Sequence, residues 1–320
     1  MLSRLIGSIA FLACIAPAQA VAYPTGPITL TSPFPAGGGT DFIARTLAKK
    51  LNEQNGWTVV VDNKPGAAGT IGLNAAADTP ANGHHIVLAQ VDNLIIAPYV
   101  LGTSFSAIDT LKPVAGVAVT PAAFFIASDS PYQTLADVIQ AAKSTKQPLS
   151  YGSPGAGSFV HLAAEVFQSR SGIELMHVPY KGAAPAFTDL IAGHIDMAGG
   201  SIASANAMLS SGRVRPLAVT SATRSSRLPD TPSVAEQGVN DFDVVDWYAI
   251  FSPAGVDDQI VETLNKAITQ ALTDPELIKA FGNQGLETLP LSAQDLEKLQ
   301  KQDRAAWQDI ISSVGLIKGN

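Results

Sequence analysis

The chain has 320 residues, of which 46% are hydrophobic and 15% charged, a balance typical of a well-buried protein with two domains of ordinary size. This composition excludes a disordered chain, because disorder requires few hydrophobic residues and many charges. The formal net charge of −7 argues against a nucleic-acid partner, although helix N-termini can still bind an anion in an acidic protein.

The first 20 residues have the organisation of a secretory signal peptide. Arg4 precedes an apolar run from Leu5 to Ala16, and Ala18-Gln19-Ala20 supplies the small residues of a cleavage site. The single cysteine, Cys14, lies in this segment. We therefore expect an exported mature protein without a disulfide, a thiol nucleophile or a thiolate metal site.

A glycine-rich loop joins the first predicted strand to the first predicted helix. Pro27–Thr31 alternates like a strand, and apolar residues at four-residue spacing from Ile43 predict a helix. Between them, Gly37–Gly39 allow close backbone approach to a ligand, and Thr40 or Asp41 can cap the helix. Unpaired N–H groups at such a helix start favour a carboxylate or phosphate, although an ordinary tight turn has the same residues.

Strands and helices continue to alternate through the first half, as in a parallel sheet. The sequence predicts strands at Thr58–Val61 and His85–Ala89, separated by a second turn at Asp62–Gly69 and a helix at Thr70–Ala77. The long β-rich stretch Val114–Ser128 is predicted to leave the first domain and enter the second.

The second domain is predicted to repeat the strand, glycine loop and helix of the first. A helix over Thr134–Lys143 begins with the spacing of a capping box. Strand Leu149–Tyr151 then leads into the loop Gly152–Ser158 and an amphipathic helix. Further strands are predicted at Met176–Tyr180, Ile195–Ala198 and Val214–Val219.

The last third of the chain is predicted to return to the first domain through Val244–Phe251. Trp247 on this segment either stacks on a ligand or packs the hinge. Two crossings between α/β lobes predict a hinged cleft that encloses a ligand. Helices are predicted at Ile260–Leu272 and from Ser292 to about Ser313, with lobe 1 comprising residues 21–123 and 247–320 and lobe 2 residues 124–246.

The sequence contains no recognisable catalytic or metal-binding set. Phe42 stands where a dinucleotide fingerprint needs its third glycine, and no Walker sequence occurs. Ser153 and Ser158 lack the preceding glycine of a nucleophile elbow, and no two of the five histidines have the spacing of a zinc helix. We therefore predict neither a cofactor nor a metal. Glycine loops at helix starts fit a protein that binds an anion without transforming it.

The loop Pro33-Phe34-Pro35-Ala36-Gly37-Gly38-Gly39-Thr40-Asp41 resembles the PF-x-PGG-x-[ST]-D loop of the Bug family, the periplasmic solute receptors of tripartite tricarboxylate transporters. Here Pro35-Ala36 stands where Ala-Pro is usual. The resemblance covers nearly all of the mature chain. Further matching segments, in the family's order, are Asp62–Gly69, Tyr151–Ser158 with His161-Leu162, Val178–Gly182, Leu217–Thr220 and Leu228–Ser233.

This resemblance implies an α/β, two-lobed type II periplasmic binding fold with mixed, mostly parallel sheets, flanking helices and a cleft for a di- or tricarboxylate. In the family, two loops, here Phe34–Asp41 and Gly66–Gly69, grip one carboxylate through backbone amides and ordered water, and Ser153–Ser158 closes on the ligand. The candidate ligand-binding residues are Phe34, Pro35, Gly38, Thr40, Asp41, Gly66, Ala67, Gly69, Asn93, Ser153, Gly157, Ser158, His161 and Ser201.

The resemblance also implies membrane partners in the periplasm. A monomeric receptor would deliver its ligand to the large and small integral membrane subunits of a transporter, or to a sensor kinase. This chain departs from the family at Gly199-Gly200-Ser201, where Asp-Asn is usual, and at Gln90–Asn93. The loss of bulk at Gly199 and Gly200 predicts room for a larger ligand, such as an aromatic dicarboxylate.

Several residues have a purely structural alternative. Ser158 can contact ligand or only cap its helix, and His161 can face ligand or be a satisfied interior histidine. We expect Asp41 to order its loop by accepting N–H bonds. A secreted hydrolase of carboxylate esters, using Ser153 or Ser158 with His161 nearby, is the alternative function. The missing elbow glycines argue against it, as does the projection of Ser158 and His161 side by side along one helix.

Overall fold

A computed structural model describes residues 23–102, 107–145, 147–313 and 315–316. The predicted signal peptide, including Cys14, lies outside these residues. The described chain is an α/β fold in which two lobes share strands that cross between them. Within the described ranges, no helix is both long enough and apolar enough to span a membrane.

The elements of lobe 1 are β1 (Ile28–Ser32), α1 (Gly39–Asn55), β2 (Val59–Asn63), α2 (Thr70–Ala77), β3 (His85–Gln90), α3 (Ala97–Leu101), α4 (Ala107–Thr110), β4 (Leu111–Ala127), β9 (Val245–Pro253), α9 (Asp258–Ala271), α10 (Pro275–Gly282), β10 (Glu287–Thr288) and α11 (Ala293–Ser313). Its sheet has the strand order β2-β1-β3-β9-β4-β10. Strand β1 runs parallel to β2 and β3, whereas β9 runs antiparallel to both β3 and β4.

The other elements of lobe 2, besides the second half of β4, are α5 (Leu135–Ser144), β5 (Leu149–Ser153), α6 (Phe159–Ser171), β6 (Leu175–Pro179), α7 (Ala183–Ile191), β7 (Met197–Ser201), α8 (Ile202–Ser210) and β8 (Val214–Val219). The sheet of lobe 2 has the order β8-β4-β7-β5-β6, with β5 parallel to its neighbours β6 and β7. Strand β4 is antiparallel to β7 and β8.

Strand β4 joins the two sheets because it changes partners along its length. Residues up to Pro121 pair with β9 in lobe 1, and residues from Ala122 pair with β7 in lobe 2. The return begins where the Val244 N–H donates to the Thr220 carbonyl, directly before β9. These crossings lie close to the predicted boundaries at 123/124 and 246/247. The division of the chain at those residues remains a prediction.

Helix α11 reinforces the connection between the lobes. Trp307 on α11 meets Phe159 of lobe 2 edge to face, with ring centroids 6.1 Å apart. Trp247 is buried on β9, and its Nε1 donates a 2.6 Å hydrogen bond to Asp303 Oδ2 on the same helix. Trp247 therefore packs the hinge, which decides between its two predicted roles.

Local sequence signals place most elements correctly. The Thr134–Asp137 capping box forms as predicted, and α2 and β8 have their predicted bounds. Strand β7 is displaced toward the C-terminus of its predicted range, because the glycines Gly199 and Gly200 pair with β4 despite lacking side chains. The short helices α7, α8 and α10 are found only in the structure and were not among the predicted elements.

Candidate ligand-binding site

Three adjoining pockets lie where the two lobes face each other. A central pocket of about 210 Å³ is bounded by Asp92 and Asp246 of lobe 1 and Ser158 of lobe 2. A second, also about 210 Å³, lies beside Gly37 and Gly39. A third, of about 200 Å³, lies between the loops of Ala68 and Gly157.

The first loop of lobe 1 is ordered by Asp41. Asp41 Oδ2 accepts hydrogen bonds from the Gly37 N–H and from Arg45 Nε, each at 2.9 Å, and its Oδ1 accepts one from Asn63 Nδ2 at 2.8 Å. Burial alone would raise the pKa of Asp41, but these donors outweigh it and lower the pKa below its usual value. The predicted role of Asp41 as an acceptor that orders its loop is confirmed.

The predicted cap of α1 is wrong, and the error matters for binding. The N-cap is Gly38, and no side chain accepts a hydrogen bond from the first turn. Asp41 bonds back to Gly37, and Thr40 Oγ1 donates to Gln90 Oε1 at 2.8 Å. The first N–H groups of α1 therefore remain available to an anion.

The second loop of lobe 1 has an unusual backbone. Gly66, Ala67, Ala68 and Gly69 all have positive φ, at 134°, 46°, 52° and 93°. Left-handed conformations are unfavourable for alanine, and such strain is concentrated at functional sites. The N–H groups of Gly69 and Thr70 bond back to the Gly66 and Ala67 carbonyls, so the donors that this loop can offer an anion are the N–H groups of Ala67 and Ala68. Helix α2, which follows, also has no side-chain cap.

Gly69 permits a close approach that no other residue would allow. A Cβ at this position would lie 2.9 Å from Asn93 Nδ2 and 3.2 Å from Phe34 Cζ. Asn93 is fully buried; its Oδ1 accepts the Gln90 N–H at 3.0 Å, and its Nδ2 has no partner among the described residues. An unpaired buried donor beside the two loops fits an acceptor supplied from outside the chain.

In the glycine loop of lobe 2, the hydrogen-bonding groups are largely paired within the protein. Ser158 Oγ accepts the His161 N–H at 3.2 Å, so Ser158 is the N-cap of α6, and it also donates to the Gly155 carbonyl. The Gly157 N–H donates to His161 Nδ1 at 3.0 Å. Across the cleft, Asp92 Oδ1 accepts the Phe159 N–H at 2.8 Å. A carboxylate of lobe 1 therefore already occupies this helix start.

His161 is buried in lobe 2 and stacks on a second histidine. Its ring stacks on His177 with centroids 3.9 Å apart, and its Nε2 lies 3.6 Å from Glu165 Oε1. Burial lowers the pKa of His161 to about 4. Burial and the neighbouring His161 lower the pKa of His177 to about 4 as well. Both rings are therefore neutral near pH 7.

The two candidate serines use their hydroxyl groups differently. Ser153 Oγ lies 2.7 Å from His177 Nε2, a pairing that the sequence did not predict, but Ser153 is fully buried. Among the described residues, no carboxylate hydrogen-bonds the His177 ring to orient it as a general base requires. Ser158 uses its hydroxyl as a cap, where it bonds to the backbone groups of Gly155 and His161.

The central pocket contains two acidic residues that the candidate set lacked, Asp92 and Asp246. Desolvation raises the pKa of Asp92 to about 6, against the opposing effects of the Phe159 N–H and Gln90. Desolvation and the nearby Asp92 raise the pKa of Asp246 well above its ordinary value. Tyr248, at the same wall, has its pKa raised by the same burial and the same acids. No local pattern marks Asp246, because it lies within the crossing strand β9.

Gly199 and Gly200 do not enlarge the cleft, so the prediction of extra ligand space is wrong. A Cβ at Gly199 would lie 2.4 Å from Val160 Cγ1, and one at Gly200 would lie 3.0 Å from Phe187 Cζ. The space left by the missing side chains is filled by Val160 beside Gly199 and by Phe187 and the Ser204 hydroxyl beside Gly200. Neither glycine lines any of the three pockets.

The three pockets bring together part of the predicted set. Phe34, Gly157 and Ser158 line the third pocket, Ser158 and Ser201 the central one, and Ser201 also the second. The other candidates line none of the three pockets, and of these Pro35, Gly38 and Ala67 are exposed: Pro35, Gly38, Thr40, Asp41, Gly66, Ala67, Gly69, Asn93, Ser153 and His161.

The charge of the cleft is as informative as its shape. None of the described residues that line the three pockets is a lysine, arginine or histidine. Among the residues with assigned positions, no group of three or more histidine, cysteine or acidic side chains could hold a metal ion. An anion in this cleft would therefore be bound by neutral donors, such as the backbone N–H groups at helix starts and the hydroxyl groups of Ser201 and Ser204 in the walls.

Comparison with known proteins places this geometry in context. Residues 43–316 match the family described as the tripartite tricarboxylate transporter family receptor. A protein from the tcbD-tcbE intergenic region of Pseudomonas sp. strain P51 is 35% identical over 291 residues, covering 91% of this chain and 87% of its own.

Two solved structures share the fold at similar identity. Rpa4515 of R. palustris, solved with adipate, superposes with a TM-score of 0.80 at 30% identity, covering 92% of this chain and 99% of its own. The periplasmic binding protein BugD superposes with a TM-score of 0.76 at 30% identity, covering 93% of this chain and 100% of its own.

Proposed function

The chain belongs to the tripartite tricarboxylate transporter receptor family, and from that premise we propose that it is a periplasmic receptor that captures a small organic carboxylate between its lobes. The resemblance to the Bug family is confirmed by the family match and by the likeness to BugD. The family and its structural neighbours are solute-binding receptors.

The observation that carries this proposal is the pair of uncapped helix starts in lobe 1. Helices α1 and α2 both begin at the cleft without a side-chain cap, and the positive-φ loop Gly66–Gly69 leads into α2. Backbone N–H groups at such sites bind a carboxylate without a basic side chain. The absence of basic residues from the described pocket walls fits this mode of recognition.

The mechanism is capture by lobe closure without chemistry. Ligand bridges the N–H donors of lobe 1 and the loop Ser153–Ser158 of lobe 2, and the closed arrangement is favoured by as much as the ligand binds it better. The candidate residues at the pocket walls, Phe34, Gly157, Ser158 and Ser201, contact the ligand or its water shell. The buried candidates that line no pocket, such as Asp41 and Asn93, hold the loops in shape.

We further propose that the mature protein acts in the periplasm as a monomer and delivers its ligand to the large and small membrane subunits of a transporter. Delivery to a sensor kinase is the variant of the same role. The neighbour solved with adipate supports a dicarboxylate-sized ligand.

A thermal-shift and calorimetric screen of mature residues 21–320 tests the proposal. The panel contains mono-, di- and tricarboxylates, aliphatic and aromatic, together with amino acids. A ligand at about 100 times its Kd should stabilise the protein by about 2.7 kcal/mol. Recovery of the ligand unchanged after long incubation separates a receptor from a hydrolase. A screen in which no member of the panel binds would overturn the proposal.

A further inference from the structure

The glycine loop of lobe 2 is anchored to the interior of its lobe through Gly157. This residue lines the third pocket, and a Cβ on it would lie 2.6 Å from Val100 Cγ1, so the loop meets helix α3 of lobe 1 here. The Gly157 N–H donates to His161 Nδ1 at 3.0 Å. His161 itself lines none of the three pockets. It therefore acts on the cleft through the position of Gly157.

The hydrogen bond from Gly157 also fixes the state of the His161 ring. A ring nitrogen that accepts an N–H carries no proton, so the neutral ring has its proton on Nε2. Nε2 lies 3.6 Å from Glu165 Oε1, which accepts hydrogen bonds from the Tyr151 hydroxyl at 2.7 Å and from Gln168 Nε2 at 2.8 Å. The ring is thus oriented by the loop on one side and by a carboxylate on the other.

A second histidine limits the charge that this part of lobe 2 can hold. The His177 ring stacks on His161 with centroids 3.9 Å apart, and its Nε2 lies 2.7 Å from Ser153 Oγ at the start of the same loop. Ser153 Oγ in turn exchanges hydrogen bonds with the N–H and the carbonyl of Gly155. Like charges at this distance in a buried space repel strongly, so a proton on one ring opposes a proton on the other.

We propose that His161 is a positioning residue for the lobe 2 loop: it holds Gly157 against lobe 1 only while its ring is neutral, and protonation releases the loop and weakens ligand binding in acid. The inference rests on the proposed function, because it takes this loop to close on the ligand. A protonated imidazole has an N–H at both nitrogens and accepts no hydrogen bond. Protonation therefore sets the Gly157 N–H against a second donor.

Burial sets the pH range in which the loop is released. The pKa of His161 is lowered to about 4 while the loop is held, because burial disfavours the charged ring. A ring exposed to water has a pKa of about 6.5. Between these values the released loop binds more protons than the held loop, so the held loop loses stability as pH falls through this window.

Other titratable groups adjoin the ring on every element packed against it. Glu165 lies on its own helix, Tyr151 on β5 and His177 on β6, and the Asp92 carboxylate of lobe 1 reaches the start of α6. A test of His161 must therefore cancel their titration. Substitutions at His161 that retain these neighbours do so, because both proteins are compared at the same pH.

Two substitutions separate the accepting nitrogen of His161 from its ring. His161→Asn keeps an acceptor, because Oδ1 takes the place of Nδ1, and it has no titrating group. His161→Phe keeps a flat ring on His177 and removes the acceptor. Hydrogen exchange of residues 152–162 in ligand-free mature protein at pH 7 should be about tenfold faster in His161→Phe and close to wild type in His161→Asn. The reverse order would overturn the proposal, because packing alone would then hold the loop.

The pH dependence of exchange tests the release itself. After correction for intrinsic exchange rates, the protection of residues 152–162 in the wild type should fall about tenfold between pH 7 and pH 4.5, while that of His161→Asn stays level. His194→Asn is the matched control, because His194 is exposed on lobe 2 and lines none of the three pockets, and it should follow the wild type. Identical profiles for the wild type and His161→Asn would overturn the proposal.

The ring tautomer provides a check on the wild-type protein. Nitrogen-15 spectra of the histidine side chains at pH 7 should show His161 with its proton on Nε2, its signals being those absent from the His161→Asn spectrum. A proton on Nδ1 at this pH would contradict the proposal, because that nitrogen could not accept the Gly157 N–H.

Calorimetry with adipate, the ligand of the Rpa4515 structure, connects the loop to binding. The affinity of the wild type relative to His161→Asn should fall about tenfold between pH 7 and pH 4.5, and ionisation of adipate cancels in this ratio. A constant ratio would overturn the role of His161 in binding and leave the carboxylate receptor intact. If adipate binds neither protein at pH 7, the choice of ligand fails, while the exchange profiles still decide the role of His161.

Discussion

The two glycine loops look alike in sequence but leave their helices in opposite states. In lobe 1, α1 begins at Gly38 without a side-chain cap, and Asp41 bonds backward into the loop. In lobe 2, the start of α6 is occupied by Ser158 and by Asp92 from across the cleft. The same motif therefore offers free donors in lobe 1 and occupied donors in lobe 2.

This difference shows that a glycine loop before a helix indicates where an anion can bind. It does not indicate whether the N–H donors there are already hydrogen-bonded within the protein. The occupant of α6 is itself a carboxylate, which shows the chemistry that the site accepts. We infer that lobe 1 supplies the primary anion site, whereas lobe 2 supplies closure.

A bulky side chain at Gly69, which lies against Asn93 and Phe34, should have the largest effect on ligand affinity. Gly69→Val should reduce carboxylate affinity about 100-fold, or about 2.7 kcal/mol, because its side chain would collide with Asn93 and Phe34. Gly56→Val is the matched control, because Gly56 has a φ of +66° and a Cβ there would meet nothing within 4 Å. Gly56→Val should lose about 1–2 kcal/mol of stability from backbone strain, and Gly69→Val should lose more because of the collision, but only Gly69→Val should lose binding in calorimetry.

The second-largest effect should come from loss of the Asp41 charge, which should lower the free energy of unfolding because the lobe 1 loop is less well held. Asp41→Asn should cost about 2 kcal/mol in urea unfolding at pH 7, because hydrogen bonds to a charged acceptor are lost. The folded-state pKa of Asp41 is lowered, so its stabilising effect is present above its unfolded pKa of about 3.9 and disappears as pH falls through the folded value.

The gap between wild-type and Asp41→Asn stability should therefore be full near neutral pH and shrink in acid. Arg45→Gln is the control, because the Arg45 side chain is 53% exposed and solvent screens its ion pair, so its loss should cost much less than the loss of the Asp41 charge. A gap that stays constant from pH 7 to pH 3 would contradict the assigned role of Asp41.

Removing Asp92, whose carboxylate accepts the Phe159 N–H, should leave the start of α6 with a free donor, as at the start of α1. Asp92→Ala frees the Phe159 N–H and removes a negative charge from the cleft, so plain carboxylates should bind about tenfold more tightly, or about 1.4 kcal/mol. Asp92→Asn should gain less, because its amide oxygen can still accept from Phe159. If neither variant binds a plain carboxylate more tightly, Asp92 does not compete with ligand.

Removing the Ser158 hydroxyl, which caps helix α6 in lobe 2, should have the smallest effect on ligand binding. Ser158→Ala should cost about 1 kcal/mol of stability, and Thr134→Ala, which removes the capping box of α5 away from the cleft, should cost about the same. Only Ser158→Ala should also weaken carboxylate binding, by a few-fold. Equal affinities for the two variants would show that Ser158 is a cap and nothing more.

The main strands and the longer helices, the position of both glycine loops, the Thr134 capping box and the crossing of the chain at β4 could be predicted from the sequence. These features depend on periodicity and turn chemistry within a few neighbouring residues, which a single sequence displays directly. The family motifs follow the same order, so the two-lobed fold could be predicted as well.

Which backbone donors are free, and which groups face them, depends on how distant segments meet in the folded chain. The partner of the Phe159 N–H is Asp92, 67 residues away, and Asp246 reaches the same pocket from the returning strand. Val160 and Phe187 fill the space beside Gly199 and Gly200, which the sequence alone suggested was open. Such contacts depend on how distant segments pack, and packing density leaves no trace in local patterns.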